Sequence, residues 1–330
     1  MDGRPATASR RVVITDCDHG DIAEERGVLE AAGVDLRLAS CRTADDVARE
    51  GAGATVLINQ YAPITAQVLD ALPSVRLVVR YGVGVDNVDV DAATRVGVWV
   101  ANVPDYGTEE VADHALALGL ALLRGVALLE RSVRNGRWNY EDARPLRRLR
   151  TLTFGVVGCG AIGTAAAARA RGFGMRVVGC DARPGRASAA GVEELAFDEL
   201  LRQADVVSLH ATLDDRSARM IDAAALAQMK RSAVLVNTAR GGLVDTAALL
   251  EALDAGELAG AGLDVLEVEP PDGVGARLAM HPRVVMTPHA AWYSEESFSA
   301  LKTEVAREAL RVLEGLVPRS PVNAPLEIAS

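Results

Sequence analysis

The sequence predicts an α/β protein built on two parallel sheets. Short β-branched runs alternate with Ala- and Leu-rich helical stretches, which is typical of strand–helix–strand units. The length of 330 residues is enough for roughly two domains. Apolar residues make up 49% of the chain, charged residues 24% and aromatic residues only 4%. This composition favours a globular protein with helices packed on parallel sheets.

The strands fall into two series. The first series comprises five short runs with the length of buried strands, at residues 12–15, 36–39, 56–59, 77–80 and 98–101. Helical segments at residues 22–32 and 66–71 lie between them. The second series comprises six runs, at residues 154–158, 176–180, 206–210, 234–237, 262–265 and 284–287. Six strands with intervening helices match a complete dinucleotide-binding sheet.

Helical patterns also join the two series and end the chain. Residues 111–134 form one long helical pattern, which the polar stretch 135–150 follows. Residues 291–315 are helical again, and the pattern ends before Pro318 and Pro321. This last helix is expected to return to the first domain, which would make that domain discontinuous.

Charge and cysteine content argue against several classes of protein. The net charge of −10 disfavours a nucleic-acid partner and is consistent with solubility. The four cysteines form no CxxC pair and no cluster with histidine, so no metal is expected and a reducing, cytoplasmic location fits: Cys17, Cys41, Cys159 and Cys180. The start of the chain has no signal-peptide pattern, and the apolar run 116–123 is too short to span a membrane.

A glycine motif follows the first strand of the second series. The sequence Gly158-Cys-Gly160-Ala-Ile-Gly163 stands between that strand and an Ala-rich helix at residues 164–170. The first glycine permits a tight turn, the second lets the backbone approach a pyrophosphate, and the third lets helix and strand pack closely. The pyrophosphate would lie at the helix N-terminus. The alternative is a tight turn that binds no ligand.

An acidic residue ends the next strand. Asp181 lies 18 residues after Gly163, where a carboxylate accepts hydrogen bonds from an adenosine ribose and repels a 2′-phosphate. The motif therefore favours NAD over NADP. Arg183 and Arg186 lie nearby and leave some tolerance of NADP open.

Five further motifs resemble those of the D-isomer-specific 2-hydroxyacid dehydrogenases. They are RYGVGVDN at 80–87, EEVADH at 109–114, NTARGGLVD at 237–245, GLDVLEVEP at 262–270 and TPHAAW at 287–292. They keep the family's order and spacing between residues 76 and 298, whereas residues 1–60 match only as a pattern of strands and helices. The run at 288–295 resembles the branch that contains the C-terminal-binding-protein corepressors and their bacterial relatives.

The resemblance implies a domain organisation. Residues 1–103 and 290–330 would form a discontinuous, flavodoxin-like, substrate-binding domain. Residues 104–289 would form a Rossmann-like NAD-binding domain, with a cleft between the two. The family's catalytic set corresponds to Arg240, Glu269 and His289.

The residue types of this set suit the chemistry of 2-oxo acids. A histidine has an unperturbed pKa of about 6.5, so it can exchange a proton near neutral pH. A carboxylate such as Glu269 fixes the histidine tautomer, and an arginine such as Arg240 binds a planar carboxylate with two hydrogen bonds. Taken singly, each residue favours a structural role, which is a backbone cap for His289, a turn for Arg240 and a solvated loop for Glu269; taken together, with the family's spacing, the three favour the catalytic role.

The resemblance also implies residues around the substrate and the cofactor. Val83 and Gly84 would offer amide N–H groups to the substrate carboxylate, Arg80 would contact the substrate, and Trp292 would form a pocket wall suited to an apolar or thioether tail. The alternatives are a turn for Val83 and Gly84, a surface ion pair for Arg80 and ordinary packing for Trp292. The residues implied around NAD are Gly158, Gly160, Ala161, Ile162, Gly163, Asp181, Thr108, His210, Thr238 and Asp264.

Two of these positions carry reservations. Ala161 stands where the family often has an arginine, so a side-chain contact to the pyrophosphate is lost. Thr108 is equally consistent with the N-cap of the following helix, and Asp264 with a turn residue at a strand end.

The sequence leaves two functions open and argues against a third. The first is an enzyme that reduces 2-oxo acids or oxidises 2-hydroxy acids. The second is an NAD-responsive, corepressor-like module with an apolar peptide groove in the first domain. The third, an unrelated enzyme such as a sugar epimerase, would need a Tyr-x-x-x-Lys pair that the sequence lacks. A homodimer through residues 111–134 and the following arm is expected from the resemblance.

Overall fold

The computed structural model describes residues 10–325, which form two compact units. The first unit contains residues 10–106 and 294–325 of the described chain, and the second contains Gly107–Tyr293. The division of the chain into domains at residues 103/104 and 289/290 stays a prediction.

The first unit is a five-stranded parallel sheet in the order β2-β1-β3-β4-β5. Its elements before residue 106 are β1 (Arg11–Ile14), α1 (Ala23–Leu29), β2 (Asp35–Leu38), α2 (Ala44–Glu50), β3 (Val56–Asn59), α3 (Ala66–Ala71), β4 (Leu77–Arg80), α4 (Val90–Arg95) and β5 (Trp99–Ala101). The three central strands are short apolar runs that are almost completely buried. Because the strands are parallel, their carboxyl ends meet at one edge of the sheet.

The second unit is a seven-stranded parallel sheet in the order β12-β11-β10-β9-β6-β7-β8. Its elements are α5 (Thr108–Leu123), α6 (Val126–Arg134), β6 (Thr153–Val157), α7 (Ala161–Gly172), β7 (Arg176–Cys180), α8 (Arg186–Ala189), β8 (Glu193–Glu194), α9 (Phe197–Gln203), β9 (Val206–Leu209), α10 (Ala223–Gln228), β10 (Val234–Asn237), α11 (Thr246–Asp254), β11 (Gly260–Leu263), α12 (Gly273–Ala279) and β12 (Val284–Met286). The strand order reverses between β6 and β9, and this switch point is where parallel sheets bind ligands.

The chain then returns to the first unit through α13 (Glu295–Leu313). Ser294 caps this helix, and its hydroxyl accepts a hydrogen bond from the Ser297 amide, so the helix begins four residues later than the predicted position 291. The segment after α13 pairs with β5 through Pro321.

The prediction of two parallel sheets flanked by helices is confirmed, and every predicted strand is present within two residues at each end. The single helix predicted over residues 111–134 is wrong. Gly125 adopts a left-handed conformation and separates α5 from α6, with a bend of 60°. The second sheet also has a seventh strand, β8, at its edge. Glu193 and Glu194 form this strand in only two residues, so it carries no hydrophobic signal.

Among the described residues, no single helix has the length and apolar character needed to cross a membrane. The bent pair α5 and α6 meets that criterion only when both helices are counted together.

Candidate active site

Two glycines of the motif stand where the turn has no room for a side chain. Gly158 has a φ of +94°, and a Cβ there would lie 2.6 Å from the carbonyl oxygen of His210. A Cβ at Gly163 would overlap the carbonyl oxygen of Gly158. The turn leads directly into α7, whose first residues are Ala161 and Ile162 and whose N-cap is Gly160. These contacts fit a turn that brings free helix N–H groups close to a pyrophosphate.

Asp181 lies against this turn at the end of β7. One carboxylate oxygen accepts a hydrogen bond from the amide of Cys159 at 2.8 Å, and the other accepts one from the amide of Arg183 at 2.9 Å. The Nε atoms of Arg183 and Arg186 lie 3.7 and 3.8 Å from the carboxylate, and Arg186 also donates to the carbonyl oxygen of Cys159. Asp181 therefore stabilises the turn and also stands beside two positive charges.

Two of the residues implied around the cofactor follow the neighbouring strands. Thr238 comes directly after β10, and its hydroxyl is buried without a hydrogen-bond partner among residues 10–325. A buried polar atom without a partner is unusual and is consistent with a site that a ligand completes. His210 comes directly after β9, and desolvation lowers its pKa to about 4, so the ring is neutral at pH 7.

Thr108 is the first residue of α5 and not its cap. The N-cap is Gly107, which has no side chain that could accept a capping hydrogen bond. The alternative interpretation of Thr108 as an N-cap is therefore wrong, and its contact with the cofactor stays a prediction.

His289 and Glu269 form a hydrogen-bonded pair. The Nδ1 atom of His289 lies 2.7 Å from Oε2 of Glu269. Both side chains are partly exposed. Because the carboxylate accepts the Nδ1 hydrogen, the Nε2 atom of His289 is left for another partner. His289 has a φ of +53°, which is uncommon outside glycine and occurs often at functional sites.

Glu269 remains ionised although it is partly buried. Burial opposes ionisation, but the hydrogen bonds from His289 and the Leu266 amide, together with the charge of Arg240, outweigh it and hold the pKa of Glu269 below its usual value. The Leu266 amide donates to Oε1 at 2.9 Å.

Arg240 approaches this pair because the next residue is a glycine. A Cβ at Gly241 would overlap the backbone of Leu266, so the turn after β10 packs directly on the segment that leads to Glu269. The turn itself is held by Asn237, whose side-chain amide donates to the Arg240 carbonyl oxygen at 2.9 Å. The structure thus brings all three members of the predicted catalytic set into one region of the second unit.

Asp264 holds the segment that carries His289. Its side chain is almost completely buried and accepts hydrogen bonds from the amides of Ala290 and Ala291, both at 2.9 Å. The Thr287 hydroxyl donates to the same carboxylate at 2.5 Å. Since that hydroxyl donates to Asp264, it accepts from Nε2 of His114, which lies 2.9 Å away.

The sequence did not identify His114 and Thr287 as site residues, although both belong to the motifs that resemble the dehydrogenase family.

Trp292 is half-buried and contacts the ring of Tyr293 edge to face at 5.7 Å. Its backbone packs on Gly107, where a Cβ would lie 3.3 Å from the Trp292 carbonyl oxygen.

The remaining predicted substrate residues belong to the first unit. Arg80 ends β4, and its guanidinium folds over Gly82, where a Cβ would overlap it. Asn102 donates to the Val83 carbonyl oxygen at 2.6 Å. Val83 and Gly84 therefore lie in a defined loop at the carboxyl edge of the first sheet.

The second sheet and its glycine turn are those of a dinucleotide-binding enzyme domain. A family model described as the NAD binding domain of D-isomer specific 2-hydroxyacid dehydrogenases matches residues 116–291. The chain is 43% identical over 271 residues to a glyoxylate reductase of Korarchaeum cryptofilum, a match that covers 79% of this chain and 80% of that protein. The chain therefore belongs to the D-isomer specific 2-hydroxyacid dehydrogenase family.

Two other relatives agree with this assignment. The chain is 38% identical over 272 residues to a D-3-phosphoglycerate dehydrogenase of Bacillus subtilis, covering 82% of this chain but only 51% of that protein. A crystal structure of a D-lactate dehydrogenase from Aquifex aeolicus, complexed with NAD and lactic acid, has a TM-score of 0.87 and 28% identity, and it covers 96% of this chain and all of the other. The predicted family, enzyme class and NAD cofactor are confirmed.

Proposed function

We propose that this protein transfers a hydride between NAD and C2 of a small D-2-hydroxy or 2-oxo acid. The hydrogen-bonded pair of His289 and Glu269, at the carboxyl edge of the NAD-binding sheet, is the observation that carries the proposal. A histidine whose far nitrogen is held by a carboxylate is the arrangement that general acid–base catalysis uses.

His289 would exchange the proton of the substrate oxygen. Since its Nδ1 hydrogen bonds to Glu269, Nε2 is the atom that would donate a proton to the carbonyl oxygen during reduction and accept it back during oxidation. The ionised Glu269 would favour the protonated imidazole that this step requires.

Arg240 would bind the substrate carboxylate and polarise the neighbouring carbonyl. A guanidinium presents two parallel donors that match a carboxylate, and its charge does not depend on pH. Val83 and Gly84 would add amide N–H donors from the first unit, and Arg80 would contact the substrate beside them. Trp292 would form a wall of the pocket that holds the substrate tail.

The residues around the glycine turn would hold NAD. Gly158, Gly160 and Gly163 would let the turn approach the pyrophosphate closely, and Asp181 would accept hydrogen bonds from the adenosine ribose. Ala161, Ile162, Thr108, His210, Thr238 and Asp264 would line the rest of the dinucleotide. When bound, NAD supplies or accepts the hydride.

We infer a short, polar substrate such as glyoxylate or hydroxypyruvate. The glyoxylate reductase is similar to this chain over most of both sequences. The test is a panel of 2-oxo acids assayed by NADH absorbance, with glyoxylate and hydroxypyruvate beside longer apolar acids. The proposal expects the two short acids to give the highest kcat/KM. Turnover of none of them would overturn it, and a preference for the longer acids would overturn the substrate assignment alone.

The corepressor-like alternative lacks a specific supporting observation. It would need an apolar groove in the first unit. A cavity of that unit is lined by both apolar and charged residues, which include Pro104, Tyr106, Glu304 and Arg319. We retain the enzyme as the proposal.

A homodimer is proposed through α6 and the arm that follows it. α6 has no buried residue, and the arm exposes 91% of Trp138 and 74% of Tyr140. Exposed aromatic and aliphatic side chains of this kind favour association. Light scattering on the purified protein tests this, because a monomer would contradict it. A cytoplasmic location and the absence of nucleic-acid and membrane partners stay predictions.

A further inference from the structure

The loop of residues 80–87 contains the amides of Val83 and Gly84, which the proposed function assigns to the substrate carboxylate. It also contains Gly82, which has a φ of +125°. Glycines cost conformational entropy when they are ordered, so a loop of this composition needs contacts elsewhere to fix its shape. The structure provides such contacts at both ends of the loop.

The first contact is a buried hydrogen bond beneath the start of the loop. Tyr81 is only 2% exposed, and its hydroxyl donates to Oε1 of Glu25 at 2.6 Å. Glu25 lies on α1 and is 0% exposed. Because both groups are buried, water does not compete for this hydrogen bond, and the bond fixes the position of Tyr81.

A buried lysine from α13 lies close to Glu25. Nζ of Lys302 lies 3.8 Å from Oε2 of Glu25 and 2.6 Å from Glu24, and it donates to the Asp21 carbonyl oxygen at 2.8 Å. The lysine side chain is 1% exposed and its ammonium lies 5.0 Å from the centre of the Phe298 ring. Buried ion pairs contribute little net stability but fix one geometry, since the alternative arrangements leave a charge unpaired.

The second contact holds the end of the loop. The side-chain amide of Asn87 donates to Oδ1 of Asn59 at 2.7 Å and to the Ala62 carbonyl oxygen at 3.1 Å. Asn59 ends β3, is completely buried, and donates in turn to the Thr15 hydroxyl at 3.0 Å. The Asn87 carbonyl oxygen accepts from the amide of Ile64 at 2.9 Å.

We propose that Glu25, Tyr81 and Asn87 are positioning residues, which set the shape of the 80–87 loop and thereby the affinity for the 2-oxo acid. The inference rests on the proposed function, because it takes Val83 and Gly84 as the substrate's amide donors. The three residues belong to the first unit, whereas the glycine turn and the His289–Glu269 pair belong to the second. Loss of either contact should therefore weaken substrate binding and leave NADH binding unchanged.

The test compares Tyr81→Phe, Glu25→Met, Glu25→Gln and Asn87→Ala in the full-length enzyme. Each variant is assayed for the KM and kcat of its best 2-oxo acid, for the Kd of NADH by fluorescence, and for hydrogen exchange of the 80–87 peptide. We expect KM to rise about tenfold in Tyr81→Phe, Glu25→Met and Asn87→Ala, with faster exchange of the loop and little change in kcat. Glu25→Gln should recover most of the KM, because its amide oxygen still accepts from Tyr81.

Glu308→Met is the matched control. Glu308 is also a buried carboxylate of the first unit, but it accepts hydrogen bonds from the amide of Arg319 and not from the loop. Its replacement should lower the Tm without changing KM or loop exchange. Tyr81→Phe is the mildest variant and keeps the test valid if Glu25→Met does not fold.

Three results would overturn the proposal. The first is an unchanged KM in Tyr81→Phe. The second is a KM in Glu25→Gln that is raised as much as the KM in Glu25→Met. The third is a KM in Glu308→Met that rises as much as in the loop variants. Absence of turnover in the unmodified enzyme would instead reject the proposed function, so the two failures are distinguishable.

Discussion

Asp264 accepts a hydrogen bond from the Ala291 amide at 2.9 Å, and this contact fixes the segment that carries His289. The same carboxylate accepts from Ala290 and Thr287. A single buried side chain at the end of β11 therefore determines where the predicted acid–base residue lies.

Replacement of Asp264 by Ala should lower both activity and stability. It leaves three donors without their acceptor, which we expect to cost about 3 kcal/mol in the free energy of unfolding. Displacement of His289 should lower kcat about 100-fold. Urea unfolding and steady-state kinetics measure the two effects. Asp264→Asn keeps an acceptor oxygen and should lose less, so equal losses in both variants would contradict this account.

Replacement of Glu269 by Gln should change the pH profile of 2-oxo acid reduction. The pKa of Glu269 is held below its usual value, so the carboxylate is ionised at neutral pH. The ionised carboxylate holds the Nδ1 hydrogen of His289, so kcat/KM should fall when Glu269 becomes protonated at acid pH. Glu269→Gln should lack this acid limb, and its kcat/KM at neutral pH should be about 100-fold lower. A variant that keeps the acid limb would show that the limb does not arise from Glu269.

The same pKa shift predicts a dependence of stability on pH. A carboxyl whose pKa is lower in the folded state contributes stability above its unfolded pKa, and this contribution is lost as the pH falls through the folded pKa. Glu269→Gln should therefore be destabilised relative to the unmodified enzyme at neutral pH and less so in acid. Tm measurements of the variant and the unmodified enzyme from neutral to acid pH provide the check.

Two glycines of α7 offer a matched pair of substitutions. A Cβ at Gly163 would overlap the Gly158 carbonyl oxygen, so Gly163→Ala should distort the turn and weaken NADH binding about tenfold or more. Apart from its chain neighbours and the backbone of its own helix, no atom of residues 10–325 lies within 4 Å of the corresponding Cβ position at Gly172, the last residue of the same helix. Gly172→Ala should leave the Kd of NADH unchanged and raise stability by up to about 1 kcal/mol. Similar NADH affinities for both variants would argue against the turn as the pyrophosphate site.

Asp181 is expected to set the preference for NADH. Its carboxylate would repel a 2′-phosphate, but it also accepts the Cys159 amide and lies beside Arg183 and Arg186. Asp181→Ala should weaken NADH binding about tenfold and strengthen NADPH binding, because the two arginines then face the phosphate without the carboxylate. Titration of both dinucleotides measures this. If the unmodified enzyme already binds NADPH more tightly, the ribose argument is wrong.

The sequence predicted the fold well because its signals are local. The buried strands β3 and β4 are apolar runs of the right length, and both were predicted with their observed ends. The break between α5 and α6 was missed because Gly125 stands in a continuous helical pattern, and only its left-handed conformation ends the first helix.

The site was predicted less completely because its supporting contacts are distant in sequence. His114 reaches Thr287 across 173 positions, and Tyr81 reaches Glu25 across 56. No spacing rule connects such residues, since the sheets and returning helices bring them together. Arg240, Glu269 and His289 were identified through their motifs, whereas the hydrogen bonds that orient them required the structure.

The most direct measurement of the central claim is single-site replacement of His289 by Ala, followed by turnover and NADH titration on the same preparation. If His289 supplies the proton to the substrate oxygen, kcat for the best 2-oxo acid should fall about 1,000-fold or more while the Kd of NADH stays nearly the same. Turnover close to that of the unmodified enzyme would contradict the account.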